Sequence, residues 1–250
     1  MSDRVLIVTG ASRGIGRAVA VKAATEGYRV AVNYVSDQAA ADAAVAGIAA
    51  AGGTAVAIRA DVGDPDAIAF LFAETARLLG PLTHLVNNAG ITGKSSRLDA
   101  ASAETIRTCI DVNVTGAILV AQEAVRRMAP RHGGKGGAIV NISSAATTIG
   151  SAGEYVWYAA SKGAIDSFTL GLARELATER IRVNAVAPGL TSTDIHVRSS
   201  QDGARVGRLT PMIPMQRPGE SDEIADAVLY LLGDHATYIT GAVLRVTGGR

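Results

Sequence analysis

Short runs of β-branched and aliphatic residues recur along these 250 residues, and between them lie longer alanine-rich stretches whose apolar positions repeat at helical spacing. Such alternation folds as successive βα units, because parallel strands need a crossover long enough to return to the same edge and a helix supplies it. Strands are expected near 4–9, 28–34, 54–59, 83–87, 137–142, 181–186 and 241–246. Helices are expected at 14–26, 38–51, 65–79, 98–112, 116–129, 156–178 and 222–232. Right-handed crossovers then place helices on both faces of the sheet.

The composition fits layers of this kind. Hydrophobic residues make up 48% of the chain but aromatics only 4%, so the core has to be built from Ala, Val, Ile and Leu. No Pro/Ser-rich linker or charge run suggests a cut, and one domain spanning 1–250 is expected. With 24 basic and 23 acidic residues the formal charge is +1, which leaves no overall field to attract nucleic acid or an anionic membrane. The start, Met1-Ser2-Asp3-Arg4 before Val5-Leu6-Ile7-Val8, is too short and acidic for a signal peptide. No apolar run approaching the ~20 residues that span a bilayer is expected. Cys109 is the single cysteine, in keeping with a reducing, cytoplasmic setting.

Two glycine-rich or irregular stretches divide differently. Gly133-Gly134-Lys135-Gly136-Gly137 precedes a strand rather than a helix N-terminus and reads as a loop. Residues 190–217 have little period and lie between a strand and a helix; loops this long in a compact fold are usually functional, and a substrate lid is expected there.

Strand one ends in Thr9-Gly10-Ala11-Ser12-Arg13-Gly14-Ile15-Gly16, and the following helix carries Ala18, Val19, Ala20 and Ala23 for its buried side. Glycines let the backbone turn sharply and approach a pyrophosphate, whose charge meets free N–H groups and the positive end of the helix. The spacing is G-x3-G-x-G rather than G-x-G-x-x-G. Roughly 20 residues beyond the first glycine, where an acid would hold the adenosine ribose of NAD, stand Asn33 and Tyr34. Without that acid, Arg13 and Ser36 leave room for a 2′-phosphate, so NADP is expected and NAD is the second choice; Asp37 nearby weighs against it.

Tyr158 and Lys162 stand four apart in an expected helix and so share one face. A phenol with an ordinary pKa of about 10 shuttles protons poorly at neutral pH unless a cation stabilises its anion, and Lys162 is placed to be that cation. Tyr155 has Ala159 four residues on, lacks such a partner, and reads as a pocket wall together with Trp157.

Taken together, these residues resemble the classical short-chain dehydrogenase/reductases. The matching motifs run from Thr9-Gly10-x3-Gly14-x-Gly16 through Asp61-Val62, Asn87-Asn88-Ala89-Gly90, Asn113, Ser144, Tyr158-x3-Lys162 and Pro188-Gly189 to Thr193. The fold expected is a doubly wound α/β (Rossmann) three-layer sandwich with a seven-stranded, mostly parallel sheet in the order 3-2-1-4-5-6-7 and ligands outside the carboxyl ends of the strands. The resemblance implies a tetrad. Tyr158 would be the acid/base, Ser144 would polarise the substrate oxygen, Lys162 would bond the nicotinamide ribose and depress the tyrosine pKa, and Asn113 would fix a water that feeds protons to the lysine. Ser143, next to Ser144, would be structural or assist. Asp61 and Val62 would meet the adenine, Asn88, Ala89 and Gly90 the adenosine ribose side, and Pro188, Gly189, Thr191 and Thr193 the nicotinamide end. Val246-Thr247-Gly248-Gly249 replaces the acid often found in the family's tail motif, which puts tail contacts in doubt.

The expected activity is reversible NADP(H)-dependent reduction of a carbonyl to an alcohol, and the branch the chain looks most like holds 3-oxoacyl-carrier-protein reductases and glucose-type sugar dehydrogenases. Ile195, Val197, Leu209, Met212, Ile213 and Met215 in the lid suggest a mainly apolar pocket. A homotetramer, built through helices around 98–129 and 156–178 and the C-terminal strand, is implied by the resemblance alone. A silent nucleotide sensor on the same fold is the rival reading, against which the intact tetrad counts. His84, His132, His196 and His235 lack ligand spacing, so no metal is expected. Cys109 should be packed, and Arg126, Arg127 and Arg131 solvated.

Overall fold

The computed structural model describes residues 4–192 and 205–250. Seven strands form one sheet in the order β3-β2-β1-β4-β5-β6-β7, and every pairing is parallel. The strands are β1 (Val5–Val8), β2 (Arg29–Tyr34), β3 (Thr54–Arg59), β4 (His84–Asn87), β5 (Gly137–Ile142), β6 (Ile181–Pro188) and β7 (Val243–Val246).

Alternation along β1 shows how the layers are filled. Leu6 and Val8 face one side and pack with Val19, Ala20 and Ala23 of α1 (Gly14–Thr25), Ala41 and Ile48 of α2 (Gln38–Ala50) and Val228 of α9 (Ser221–Leu232). Val5 and Ile7 face the other, against Leu71 and Phe72 of α3 (Pro65–Leu79), Val120 and Ala124 of α5 (Ala117–Met128) and Leu176 of α7 (Val156–Leu176). Both faces of the central strands are therefore dry, which is why they are continuous apolar runs.

Local chemistry sets the helix starts. Asp64 caps α3 by accepting from Asp66 N at 2.9 Å, with Pro65 in the first helical position. Glu220 and Glu223 form a reciprocal capping box on α9. The Gly133–Gly137 run is a loop, as expected, bonded back to α5 through Gly136 N and Met128 O at 2.8 Å.

Two elements differ from expectation. The expected break between helices 98–112 and 116–129 is bridged: α4 (Ala103–Ile110) continues through a π-helical turn, Asp111–Gly116, into α5. The wide turn turns Asn113 inward, and Gly116 permits it, since a Cβ there would lie 2.4 Å from Val62 O. The joined helix, Ala103–Met128, is long and apolar enough by composition to cross a membrane, but its buried side, including Ala117, Val120, Ala121 and Ala124, packs as a core helix. A short helix, α6 (Ala146–Ile149), follows β5 where the sequence signalled none, ending at Gly150 with φ 78°.

Candidate active site

The order of the strands reverses between β1 and β4, and a cleft of about 760 Å³ opens there at their carboxyl ends. At its floor β1 and β4 are tied together. Thr9 Oγ1 accepts from the N–H groups of Asn88 and Ala89, both at 2.9 Å, and Asn88 Nδ2 donates to the carbonyls of Thr9 and Gly10 at 2.8 and 3.1 Å. This holds the glycine turn against its neighbour. Gly10 has φ 61° and a Cβ there would lie 3.1 Å from Ala89 Cα; a Cβ on Gly16 would lie 2.5 Å from Gly10 O. The turn delivers the N-terminus of α1 to the cleft, where Arg13 provides no side-chain cap. Its first N–H groups have no intrahelical partner, so the residues present suit an anion such as a pyrophosphate.

The expected cofactor positions divide. Gly10, Ser12, Arg13, Gly14, Ile15, Gly16, Tyr34, Ser36, Asp61, Val62, Asn88, Ala89 and Gly90 line the cleft, as do Pro188, Gly189 and Thr191 at its other end. Asn33 does not. It is buried beneath the turn, accepting from Gly10 N at 3.1 Å and donating to Ala60 O at 2.9 Å, so its amide braces β1, β2 and β3 rather than facing a ligand. Thr193, Ile195 and Val197 lie outside the described residues. Arg13 Nη1 lies 3.6 Å from Asp37 Oδ2, while Asp37 also caps α2 through Ala40 N at 3.1 Å.

Tyr158 and Lys162 occupy the first turns of α7, and both line the cleft with Ser144. Lys162 is buried, donates to Ile142 O at 2.7 Å, and has its pKa lowered to about 8 by the loss of water. The Ser144 hydroxyl beside it pulls the Tyr158 pKa down, but burial outweighs that and raises it. The lowered phenol pKa expected from Lys162 is therefore absent here: desolvation is the larger effect. Ser143, the neighbour of Ser144, is buried and directed at Lys162 O at 3.5 Å.

Asn113 stands behind these groups rather than in the cleft wall. Its Oδ1 accepts from Ile91 N at 2.8 Å; its Nδ2 donates to Ile91 O at 2.8 Å and to Ser161 Oγ at 3.0 Å. Gly90 keeps it close to the lysine, because a Cβ there would lie 3.2 Å from Asn113 Oδ1 and 3.4 Å from Lys162 Nζ. Ser161 in turn donates to Tyr158 O at 2.7 Å. Cys109 is fully buried in this group, as expected.

Of the expected pocket wall, Tyr155 lines the cleft, whereas Trp157 packs behind it and donates to Thr92 O at 2.8 Å. Among the lid apolars, Leu209 lines the cleft, Met212 and Met215 are exposed, and Ile213 is buried under Gly248. The tail that lacks the acid is nonetheless engaged: Gly189 N donates to Val246 O at 2.9 Å and Met215 N to Gly248 O at 3.1 Å. Glu154 and Arg205, which sequence reasoning missed, also line the cleft. The available signal was weak, because Arg205 is one of four arginines, with Arg198, Arg208 and Arg217, in an irregular segment of mixed apolar and basic residues. Arg126 and Arg127 pair with Glu123, and Arg131 with Glu179.

Comparison with known proteins agrees with this architecture. Residues 10–250 match the family described as enoyl-(acyl carrier protein) reductase. The chain is 47% identical over 246 residues to the uncharacterized oxidoreductase YgfF of Escherichia coli K12, covering 98% of this chain and 99% of that protein. It is 40% identical over 243 residues to the 3-oxoacyl-[acyl-carrier-protein] reductase FabG of Staphylococcus aureus Mu50, covering 97% and 96%. A short-chain dehydrogenase from Burkholderia cenocepacia J2315, solved in complex with NADP, superposes with a TM-score of 0.90 at 37% identity, covering 98% and 97%. On the agreement of sheet order, glycine turn and these full-length similarities, the chain belongs to the short-chain dehydrogenase/reductase family of oxidoreductases.

Proposed function

We propose that the protein is an NADP(H)-dependent carbonyl reductase and alcohol dehydrogenase in which Tyr158 is the acid/base. The observation that carries this is the group at the end of the cleft: Tyr158 and Ser144 lining the same cleft as the glycine turn, with Lys162 one helical turn on and its ammonium 5.8 Å from the centre of the Tyr158 ring.

The glycine turn and the N-terminus of α1 would hold the pyrophosphate, Asp61 and Val62 the adenine, Asn88, Ala89 and Gly90 the adenosine ribose side, and Pro188, Gly189, Thr191 and Thr193 the nicotinamide end. Arg13 and Ser36, with no acid at the end of β2, favour a 2′-phosphate, and the Burkholderia relative in complex with NADP supports that choice. A bound nicotinamide would supply or accept the hydride. Ser144 holds the substrate oxygen and Tyr158 gives it a proton in reduction or takes one in oxidation. Lys162, its pKa lowered to about 8, is poised to exchange a proton near neutral pH. Asn113 holds the loop at Ile91 and fixes the spacing to Lys162.

Residues 190–217 would close over the substrate of a one-domain enzyme. A homotetramer would cover the edge strand, where Val243 and Leu244 are 38% and 37% exposed, and Leu170 beside it; light scattering on the purified protein tests this. The catalytic reading is tested by following NADPH absorbance with a panel of ketones, aldehydes and 3-oxoacyl esters. A silent sensor on this fold binds NADPH and consumes none with any of them.

A further inference from the structure

Arg205 belongs to the segment expected to cover the cleft, yet only 7% of its side chain is exposed. A guanidinium is withdrawn from water only where fixed acceptors replace its hydration. Here Glu154 accepts through both oxygens, from Arg205 Nε at 2.9 Å and Nη2 at 2.8 Å, in the planar fork geometry that arginine alone provides. Nη2 also donates to the hydroxyl of Tyr155, and the guanidinium carbon lies 5.5 Å from the centre of that ring. The Tyr155 ring meets Tyr158 edge to face, with centroids 5.5 Å apart and planes at 87°. The main-chain carbonyl of Glu154 accepts from Ser96 N at 2.8 Å, so the loop after β4 is tied into the same assembly.

Resting on the assignment of Tyr158 as acid/base, we propose that Arg205 is a positioning residue: by gripping Glu154 and Tyr155 it seats the Tyr155 ring against Tyr158 and fixes that wall of the cleft. The groups that act on Tyr158 come from each surrounding element: Ser144 after β5, Cys109 of α4, Lys162 of α7 and Tyr155 just before it, and Arg205 of α8 (Arg205–Leu209). Among them Arg205 adds positive charge from the lid side and opposes the burial that raises the phenol pKa. An arginine that only joined two surface elements would not touch the ring that packs on Tyr158.

The test uses Arg205→Met, Arg205→Lys and Tyr155→Phe, with NADPH and ethyl 3-oxobutanoate as the reacting pair. Arg205→Met is expected to lower kcat about tenfold, to change KM less, and to move the alkaline limb of the pH profile upward. Arg205→Lys keeps the charge and restores the limb with part of kcat; Tyr155→Phe lowers kcat severalfold without moving it. The second readout needs no turnover. Trp157 is the only tryptophan, is 4% exposed, and shares an apolar cluster with Tyr155 and Tyr158. Its acrylamide quenching should rise about twofold in Arg205→Met and less in Arg205→Lys. Unchanged quenching in Arg205→Met overturns the clamp whatever the turnover. If Arg205→Met does not fold, the lysine variant decides by the same quenching. A wild-type protein that reduces no carbonyl overturns the acid/base assignment instead, and quenching still decides whether Arg205 holds the cleft.

Discussion

The ammonium of Lys162 lies 5.8 Å from the centre of the Tyr158 ring, one helical turn along α7, with the lysine buried and the tyrosine half-buried at the cleft. Burial disfavours each charged form, raising the phenol pKa and lowering the ammonium pKa from 10.5 to about 8. That depression is a stability effect. Below about pH 8 the lysine is charged both folded and unfolded, and the cost of burying it is fully present. From there to about 10.5 the unfolded chain keeps a proton the native protein has released, so stability rises with pH. Comparing urea midpoints of wild type and Lys162→Met should show the difference moving toward wild type by roughly 1–3 kcal/mol between about pH 7.5 and 10. A difference that stays flat removes the buried, charged lysine.

His84, at the amino end of the central strand β4, gives the fold an acid limit. Its ring meets Tyr28 edge to face at 5.0 Å and lies near Arg4 and Arg182, and burial lowers its pKa from 6.5 to about 4. Between those values the unfolded chain binds a proton that the native state refuses, so stability falls as pH falls through that window. His84→Phe, which keeps a ring there, should flatten the loss between about pH 6.5 and 4 by up to about 3 kcal/mol. Equal acid sensitivity in both proteins contradicts this.

Cofactor choice turns on Arg13 and its neighbour. Asp37 lies 3.6 Å from the guanidinium and caps α2 with its other oxygen. Asp37→Ser keeps a capping hydroxyl while removing the competing charge, so NADPH should bind severalfold tighter with NADH unchanged. Arg13→Ala should weaken NADPH by about 1–2 kcal/mol and leave NADH alone. Paired dissociation constants by calorimetry decide the matter, and a wild-type preference for NADH overturns the role given to Arg13.

Legibility of the sequence followed the range of the forces involved. Period and turn chemistry are local, so every strand and the glycine turn after Val8 could be read directly, and the sheet order followed from βα topology with the family resemblance. The break expected around Val112–Gly116 went wrong because β-branched residues and a glycine usually end a helix, whereas here tertiary contacts convert them into a π turn that aims Asn113 inward. Asn33 occupies the position along the chain that faces a ribose in this fold, but its side chain turns under Gly10, a choice made by three strands together. Arg205 was invisible for the same reason: its partners Glu154 and Tyr155 are about fifty residues away in the chain. Trp157 was placed in the wall with Tyr155, two residues away, although two steps along a helix turn a side chain through about 200° and so to the opposite side.

The direct trial of the acid/base claim is Tyr158→Phe, which removes one oxygen and leaves the ring packed against Tyr155. With the carbonyl that wild type reduces fastest, kcat should fall by at least about a hundredfold while the NADPH dissociation constant stays within about threefold. A variant that binds NADPH and turns over within a few fold of wild type would place the proton donor elsewhere.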